Sequence, residues 1–134
     1  MTSLTQKPVP VATPDTKEFW DGCNQGVLRI QKCEACKSHV FFPTLVCQKC
    51  HSDRLTWVSS SGLGEIKTFT VVRRAVGVFA PDVPYTIAVV VLDEGPQLMT
   101  YIVDYQESDL AIGKRVAVAF ERRLDSYLPV FKLV

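Results

Sequence analysis

From Gly62 onward the chain alternates between runs of β-branched or aromatic residues and clusters of turn formers. Such punctuation predicts strands at Gly64–Arg73, Tyr85–Leu92, Leu98–Val103, Arg115–Glu121 and Leu128–Leu133. Asp93-Glu94-Gly95-Pro96 is a tight turn signal that makes the second and third of these a hairpin. Leu124-Asp125-Ser126 turns the fourth into the fifth. Between the third and fourth lies Asp104–Gly113, a polar stretch with room for one helical turn. Five short strands with that one non-hairpin connection predict a small, partly open Greek-key barrel, the OB-fold, over residues 61–134.

Polarity along the strands says which faces need cover. The fourth alternates, with Val116, Val118 and Phe120 on one side and Arg115, Ala117, Ala119 and Glu121 on the other. The second does not: Ile87 to Leu92 is apolar on both faces. Its outer face therefore calls for a covering element or a second protein. The apolar end Val130–Val134 raises the same expectation, which makes Val89, Val91 and Phe131 candidate interface residues.

Residues 16–26 read as a short helix. Asp15 and Glu18 have capping-box spacing, Gly26 is a stop signal, and Phe19, Trp20 and Cys23 share about one face. A helix this short is marginal in isolation, so its aromatic face should dock. Residues 1–15 before it are proline-containing and aperiodic, and are expected to be a flexible arm.

Residues 27–60 carry short β-like pieces at Val27–Gln31, Val40–Phe42 and Leu55–Val58, interleaved with Cys33, Cys36, Cys47 and Cys50. The spacing is C-x2-C-x10-C-x2-C. Each two-residue gap aims two sulfurs at one point, and two such knuckles supply the four tetrahedral ligands that zinc prefers. An all-thiolate set leaves no open position, so the predicted role is structural. Iron in a rubredoxin-like site is the chemical competitor, because four thiolates suit it too. His51, which follows Cys50, is read as a bystander, and His39 as a packed or surface histidine. Cys23 has no base nearby in sequence and reads as a buried structural thiol. The knot should also hold the apolar insert Phe41-Phe42-Pro43 in place, so Phe41 and Phe42 join Phe19 and Trp20 as candidate partner contacts.

Composition narrows the function. The 134 residues are 47% hydrophobic and 22% charged, as in ordinary globular proteins. The longest apolar run is far short of a membrane span, and residues 1–13 have neither a basic n-region nor an apolar h-region. The expectation is a cytoplasmic protein with no membrane association. Residues 1–57 are net +2 and residues 58–134 net −1, without the positive field of a phosphate-backbone binder. A nucleic-acid-binding zinc-ribbon/OB module is thus the secondary reading, resting on Tyr85 and Tyr101 as stacking residues.

In order and spacing the pieces resemble a family of small bacterial and archaeal proteins, catalogued as a domain of unknown function. Its members have a rubredoxin-like zinc ribbon followed by an acyl-CoA-associated OB-fold. The resemblance rests on Phe19-Trp20-Asp21-Gly22, Leu28 through Cys36, Phe42-Pro43, Cys47-Gln48-Lys49-Cys50 and Gly62-Leu63-Gly64-Glu65-Ile66 leading into Phe69-Thr70-Val71-Val72. Pro84-Tyr85, Leu92-Asp93-Glu94-Gly95 and Ile112-Gly113 also fit. It departs where the family often has glycine after each knuckle, at Lys37 and His51. The resemblance implies a mainly β protein with a structural Zn2+, acting as an accessory subunit to a thiolase-superfamily enzyme that transfers acyl groups or makes or breaks C–C bonds. The partner would carry the catalytic residues, and the small subunit would support assembly and help hold the CoA ester. Arg73 and Arg74 suit CoA phosphates and Phe79 suits its adenine, which makes these three the candidate CoA contacts, although a solvated strand end is the favoured plain reading of the same residues. No Ser/His/Asp or Cys/His constellation and no Gly-rich phosphate loop is evident in the sequence.

Overall fold

The computed structural model describes residues 8–134. The part of the expected arm at residues 1–7 lies outside the described residues. Helix α1 (Lys17–Asn24) leads into a small antiparallel sheet of β1 (Arg29–Cys33), β2 (His39–Val40) and β3 (Leu55–Ser59), in the order β2-β1-β3. The rest of the chain is β4 (Leu63–Val72), β5 (Tyr85–Leu92), β6 (Gln97–Val103), β7 (Arg115–Arg123) and β8 (Ser126–Leu133). These five close into a barrel in the order β4-β5-β6-β8-β7. All neighbours are antiparallel except β6 and β8, which run parallel. The protein is thus mainly β, with a short helix, a four-cysteine ribbon and the five-stranded OB barrel expected from the strand pattern.

The helix forms by a different start from the one its sequence suggests. The capping box of Asp15 and Glu18 does not assemble. Thr16 sits at the cap, and the Thr13 carbonyl accepts the Thr16 and Lys17 amides at 3.0 and 2.8 Å. Asp15 instead accepts the Thr13 hydroxyl. Glu18 is drawn 11 residues downstream to an ion pair with Arg29, Nη1 to Oε2 2.6 Å. A guanidinium on the adjoining β1 is a stronger partner for a carboxylate than one backbone amide. Gly26 stops the helix at φ +78°, as its position predicts.

Two glycines let the ribbon pass into the barrel. Gly62 has φ +76°, and a Cβ there would lie 2.4 Å from Val118 Cγ1. At Gly64 a Cβ would lie 2.5 Å from the Val91 carbonyl oxygen across the β4–β5 ladder. The junction is also latched by charge. Glu94, in the β5–β6 turn, accepts the Ser60 hydroxyl at 2.9 Å and the Ser61 amide at 2.7 Å.

One continuous core joins the parts. Phe19 and Cys23 of α1 and Leu28 and Ile30 of the ribbon pack with Ile66, Val90, Leu92, Ile102, Val116 and Phe131 of the barrel. A separate small cluster of Val40 and Leu55 surrounds Cys33 and Cys47. The second barrel strand alternates in burial despite its uniform apolarity: Thr86, Ala88, Val90 and Leu92 point inward, while Ile87, Val89 and Val91 are half-buried outside. Phe131 corrects the sequence expectation. It is 0% exposed, because β8 is sandwiched where the barrel closes, with Val118 of β7 opposite on one side and Ile102 of β6 on the other. It is core and not interface. No helix among the described residues is long and apolar enough to cross a membrane.

Candidate functional site

The metal site is built from two knuckles with the same wiring. In the first, the Cys33 carbonyl accepts the Lys37 amide and the Cys33 amide donates to the Ser38 carbonyl, both at 2.8 Å. In the second, Cys47 does the same with His51 and Ser52, again at 2.8 Å. Each knuckle also points an amide at a sulfur: Cys36 N–H to Cys33 Sγ at 3.5 Å and Lys49 N–H to Cys47 Sγ at 3.4 Å. At Cys33 the amide of Cys36 holds the thiol below its ordinary range, which favours the thiolate form that binds metal. Hydrogen bonds from the Ser38 hydroxyl and amide draw the Cys36 thiol down to about 6.

All four sulfurs lie within 4.8 Å of one another, with Cys33 to Cys50 at 3.5 Å and Cys36 to Cys47 at 3.7 Å. Tetrahedral zinc with Zn–S bonds of about 2.3 Å separates its sulfurs by roughly 3.8 Å, so the cluster fits the ion. Cys33 and Cys47 are buried and Cys36 and Cys50 exposed, which places the site at the surface end of the ribbon. The fifth cysteine, Cys23, is apart from them in the core, where burial pushes its thiol up to about 12. It is no nucleophile at neutral pH.

The departures at Lys37 and His51 acquire a physical meaning. Both residues close a knuckle in the left-handed region, at φ +66° and +64°. Glycine adopts that conformation without steric cost, so these are the positions where the backbone asks for it.

Between the knuckles the chain makes an apolar protrusion. Phe41 is half-buried and Phe42 is 50% exposed, with the Phe19 ring 5.4 and 6.1 Å from theirs; Trp20 stacks edge-on to Phe19 at 4.8 Å. The tip continues through Leu45, 75% exposed, and Val46, also exposed. It is held from below by Gln31, whose buried side chain bonds to both backbone groups of Thr44. Phe19, a candidate contact by sequence, serves as the buried seat of this cluster rather than as its surface. Leu45, Val46 and Gln31 were not singled out by sequence reasoning. The first two stood in plain view as apolar residues in a polar loop.

Beside the protrusion runs a cleft in which α1, the ribbon and the barrel all take part. Its larger compartment, about 400 Å³, has walls from Trp20, Phe41 and Phe42, from Ile87 and Met99, and from Leu128 and Pro129. The cleft exists because β6 and β8 separate below a short parallel pairing of Ile102 with Phe131 and Val103 with Lys132. Pro129 ends that pairing. Its carbonyl faces β6, 3.4 Å from the Thr100 hydroxyl, and a proline has no N–H on that side to continue the ladder. Arg123 and Glu121 stand at the waist, with Arg123 Nη1 donating to the Pro8 carbonyl at 2.9 Å and Nη2 lying 3.8 Å from Glu121. A second compartment of about 270 Å³ shares Tyr101, Glu121 and Arg123 and extends to Tyr85 and Asp82.

The candidate CoA contacts lie beyond that second compartment. Arg73 forms an ion pair with Glu107, while Arg74 is exposed and makes no ion pair among the described residues. Phe79 lies in the 3-10 turn Gly77–Asp82, its ring 6.4 Å from that of Tyr85, which in turn is 5.5 Å from Tyr101. The structure thus brings the Phe79 ring beside Tyr85 of the cleft and leaves the arginines at the β4 end, one residue past the Val72–Tyr85 pair.

Comparison with known proteins places this architecture. Residues 20–56 match the family described as ChsH2, rubredoxin-like zinc ribbon domain, and residues 57–121 match ChsH2, C-terminal OB-fold domain. A DUF35 domain-containing scaffold protein of Methanothermobacter thermautotrophicus is 32% identical over 68% of this chain and 69% of its own length. A probable enoyl-CoA hydratase alpha subunit of Thermomonospora curvata is 30% identical over 94% of this chain but only 40% of its own length. Across such relatives the matched region spans between 35% and 69% of their lengths. A solved structure described as Ltp2-ChsH2(DUF35) aldolase superposes with a TM-score of 0.83 and 28% identity, covering 93% of this chain and 98% of that one. With ribbon, barrel and their order all matched, the chain belongs to the DUF35 family of ChsH2-type zinc-ribbon and OB-fold proteins.

Proposed function

We propose that this chain is the zinc-stapled accessory subunit of an acyl-CoA-processing complex, in which a thiolase-superfamily partner performs the acyl transfer or the making or breaking of a C–C bond. The observation that carries this reading is the protrusion of Phe42, Leu45 and Val46. Three large apolar side chains stand in water on a loop fixed by the metal knuckles on either side and by Gln31 beneath. A loop already ordered before contact loses little entropy on binding, which is how a small surface becomes a tight one. Aromatic and aliphatic anchors of this kind dominate interface energetics.

The names of the relatives support the same class: a scaffold protein, a CoA-ester hydratase subunit and an aldolase assembly. The metal's part is to hold shape, since its four thiolates leave no open coordination position. The CoA ester is proposed to be shared with the partner. Arg74 offers an exposed guanidinium, without an ion pair among the described residues, for its phosphates, and Phe79 offers a ring for its adenine.

The test is co-expression with a thiolase-like protein encoded beside this one, followed by affinity capture and sizing. A stable complex is expected, and replacing Phe42, Leu45 and Val46 together by serine should abolish capture while leaving the zinc-loaded fold intact. A wild-type chain that stays monomeric and captures no such partner would sink the proposal.

A further inference from the structure

We infer that the cleft between α1, the ribbon and the β6–β8 gap is the seat of the hydrocarbon part of an acyl thioester, so that this subunit reads the length of the acyl chain. The inference rests on the proposed acyl-CoA role and assigns it a place.

The chemistry of the cleft changes in one direction along its length. The larger compartment is walled mostly by rings and aliphatic side chains, with the Thr100 hydroxyl among them and Tyr101, Glu121 and Arg123 where it meets the second compartment, and its volume of about 400 Å³ falls within the roughly 300–1,000 Å³ of small-molecule sites. Met99, 73% exposed, stands at its mouth. At the waist the walls become charged, with Arg123 and Glu121. Tyr101 is shared by both compartments, and past the waist come the hydroxyl-bearing ring of Tyr85 and the carboxylate of Asp82. Ile87 in the first compartment and Tyr85 in the second are two positions apart, a step of about 7 Å along β5. Arg73 and Arg74 follow directly after Val72, the cross-strand partner of Tyr85.

An occupant matching this order has an apolar tail, a polar group at its neck, a hydrogen-bonding arm and an anionic end. An acyl chain on a phosphorylated thioester carrier has those four parts in that sequence. A free fatty acid lacks the arm and the anionic end, and a peptide side chain lacks everything past the neck. The aromatic cluster serves this role as well as docking, because Phe41 and Phe42 wall the compartment while Phe42 also faces outward.

The experiment is calorimetric titration of the zinc-loaded full chain, alone and in its partner complex, with free CoA and with butyryl-, hexanoyl-, octanoyl- and decanoyl-CoA. Affinity is expected to rise about fourfold per methylene, the equivalent of ~0.8 kcal/mol each, until the cleft is full. Met99→Asp, at the mouth and exposed, should bring decanoyl-CoA down to the affinity of butyryl-CoA and leave free CoA unchanged. Met99→Leu should keep the wild-type slope. Equal affinities along the series in both preparations overturn the assignment, as does a Met99→Asp variant with the slope intact. If Met99→Asp breaks the complex while the isolated chain shows no slope, a partner side chain fills the cleft and the assignment also fails. A chain-length slope in a protein that forms no complex would sink the proposed accessory role and leave the cleft's assignment standing.

Discussion

The carboxamide of Gln31 grips the backbone of Thr44 with both of its ends: Nε2 donates to the Thr44 carbonyl and Oε1 accepts the Thr44 amide, each at 2.9 Å. A side chain thereby does what a neighbouring strand would do, pinning a loop that has no strand beside it. Gln31→Met keeps the volume and removes both bonds. Leaving two backbone groups without partners should cost about 2 kcal/mol, read as a lower urea midpoint of the zinc-loaded protein. The protrusion should loosen as well, so capture of the partner should weaken beyond what the stability loss predicts.

Glu94 links acid stability to the ribbon–barrel junction. Burial works to raise its carboxyl, but the Ser61 amide and the Ser60 hydroxyl outweigh burial and hold it below its ordinary 4.5. A group with a depressed folded value stabilises above the unfolded value, and that stabilisation is lost as pH falls through the folded one. Glu94→Gln should therefore be less stable than wild type by about 1 kcal/mol at neutral pH. The gap between the two proteins should shrink below pH 4.5. A gap that stays constant down the acid range would show that the carboxylate's charge is not what matters.

His51→Gly separates a ligand from a bystander. The left-handed backbone at φ +64° strains any L-residue by about 1–2 kcal/mol, partly offset by the extra unfolded-state freedom of glycine. The variant should keep one zinc per chain and melt roughly 2–4 °C higher, for a net gain of about 0.5–1 kcal/mol. Loss of the metal would mean that the imidazole belongs to the site.

Phe131 and Phe42 should respond in opposite ways. Phe131→Ala empties the closure of the barrel and is expected to cost about 3–5 kcal/mol, enough to lose most of the fold. Phe42→Ala removes a ring that is half in water, so thermal stability should change little while partner capture falls at least tenfold. Melting curves and pull-down of the same two variants make the comparison.

The elements legible in the sequence were those with a local cause. β-branched runs bounded by Gly95-Pro96 or by the Leu124-Asp125-Ser126 turn gave the barrel strands to within two residues, and paired knuckles gave the metal cluster. What stayed hidden depends on residues far apart in the chain. Glu18 abandoned its capping role for an arginine on β1. Phe131 looked like an exposed apolar end until β6 and β7 closed on either side of it. The cleft draws walls from Trp20 to Pro129, and no window of sequence contains it. Pro129 was its one local sign, a proline inside a strand that ought to have neighbours on both sides.

That proline sets a ruler. β6 and β8 are zipped for two pairs and no more, and the mouth opens where the zipper stops. A related chain with an amide-bearing residue in its place could fasten one more pair and narrow the slot at that seam, without disturbing Phe131 or the metal knuckles. The width of the cleft can therefore drift among such proteins through a single imino acid at a seam, leaving the core and the exposed aromatic tip as they are.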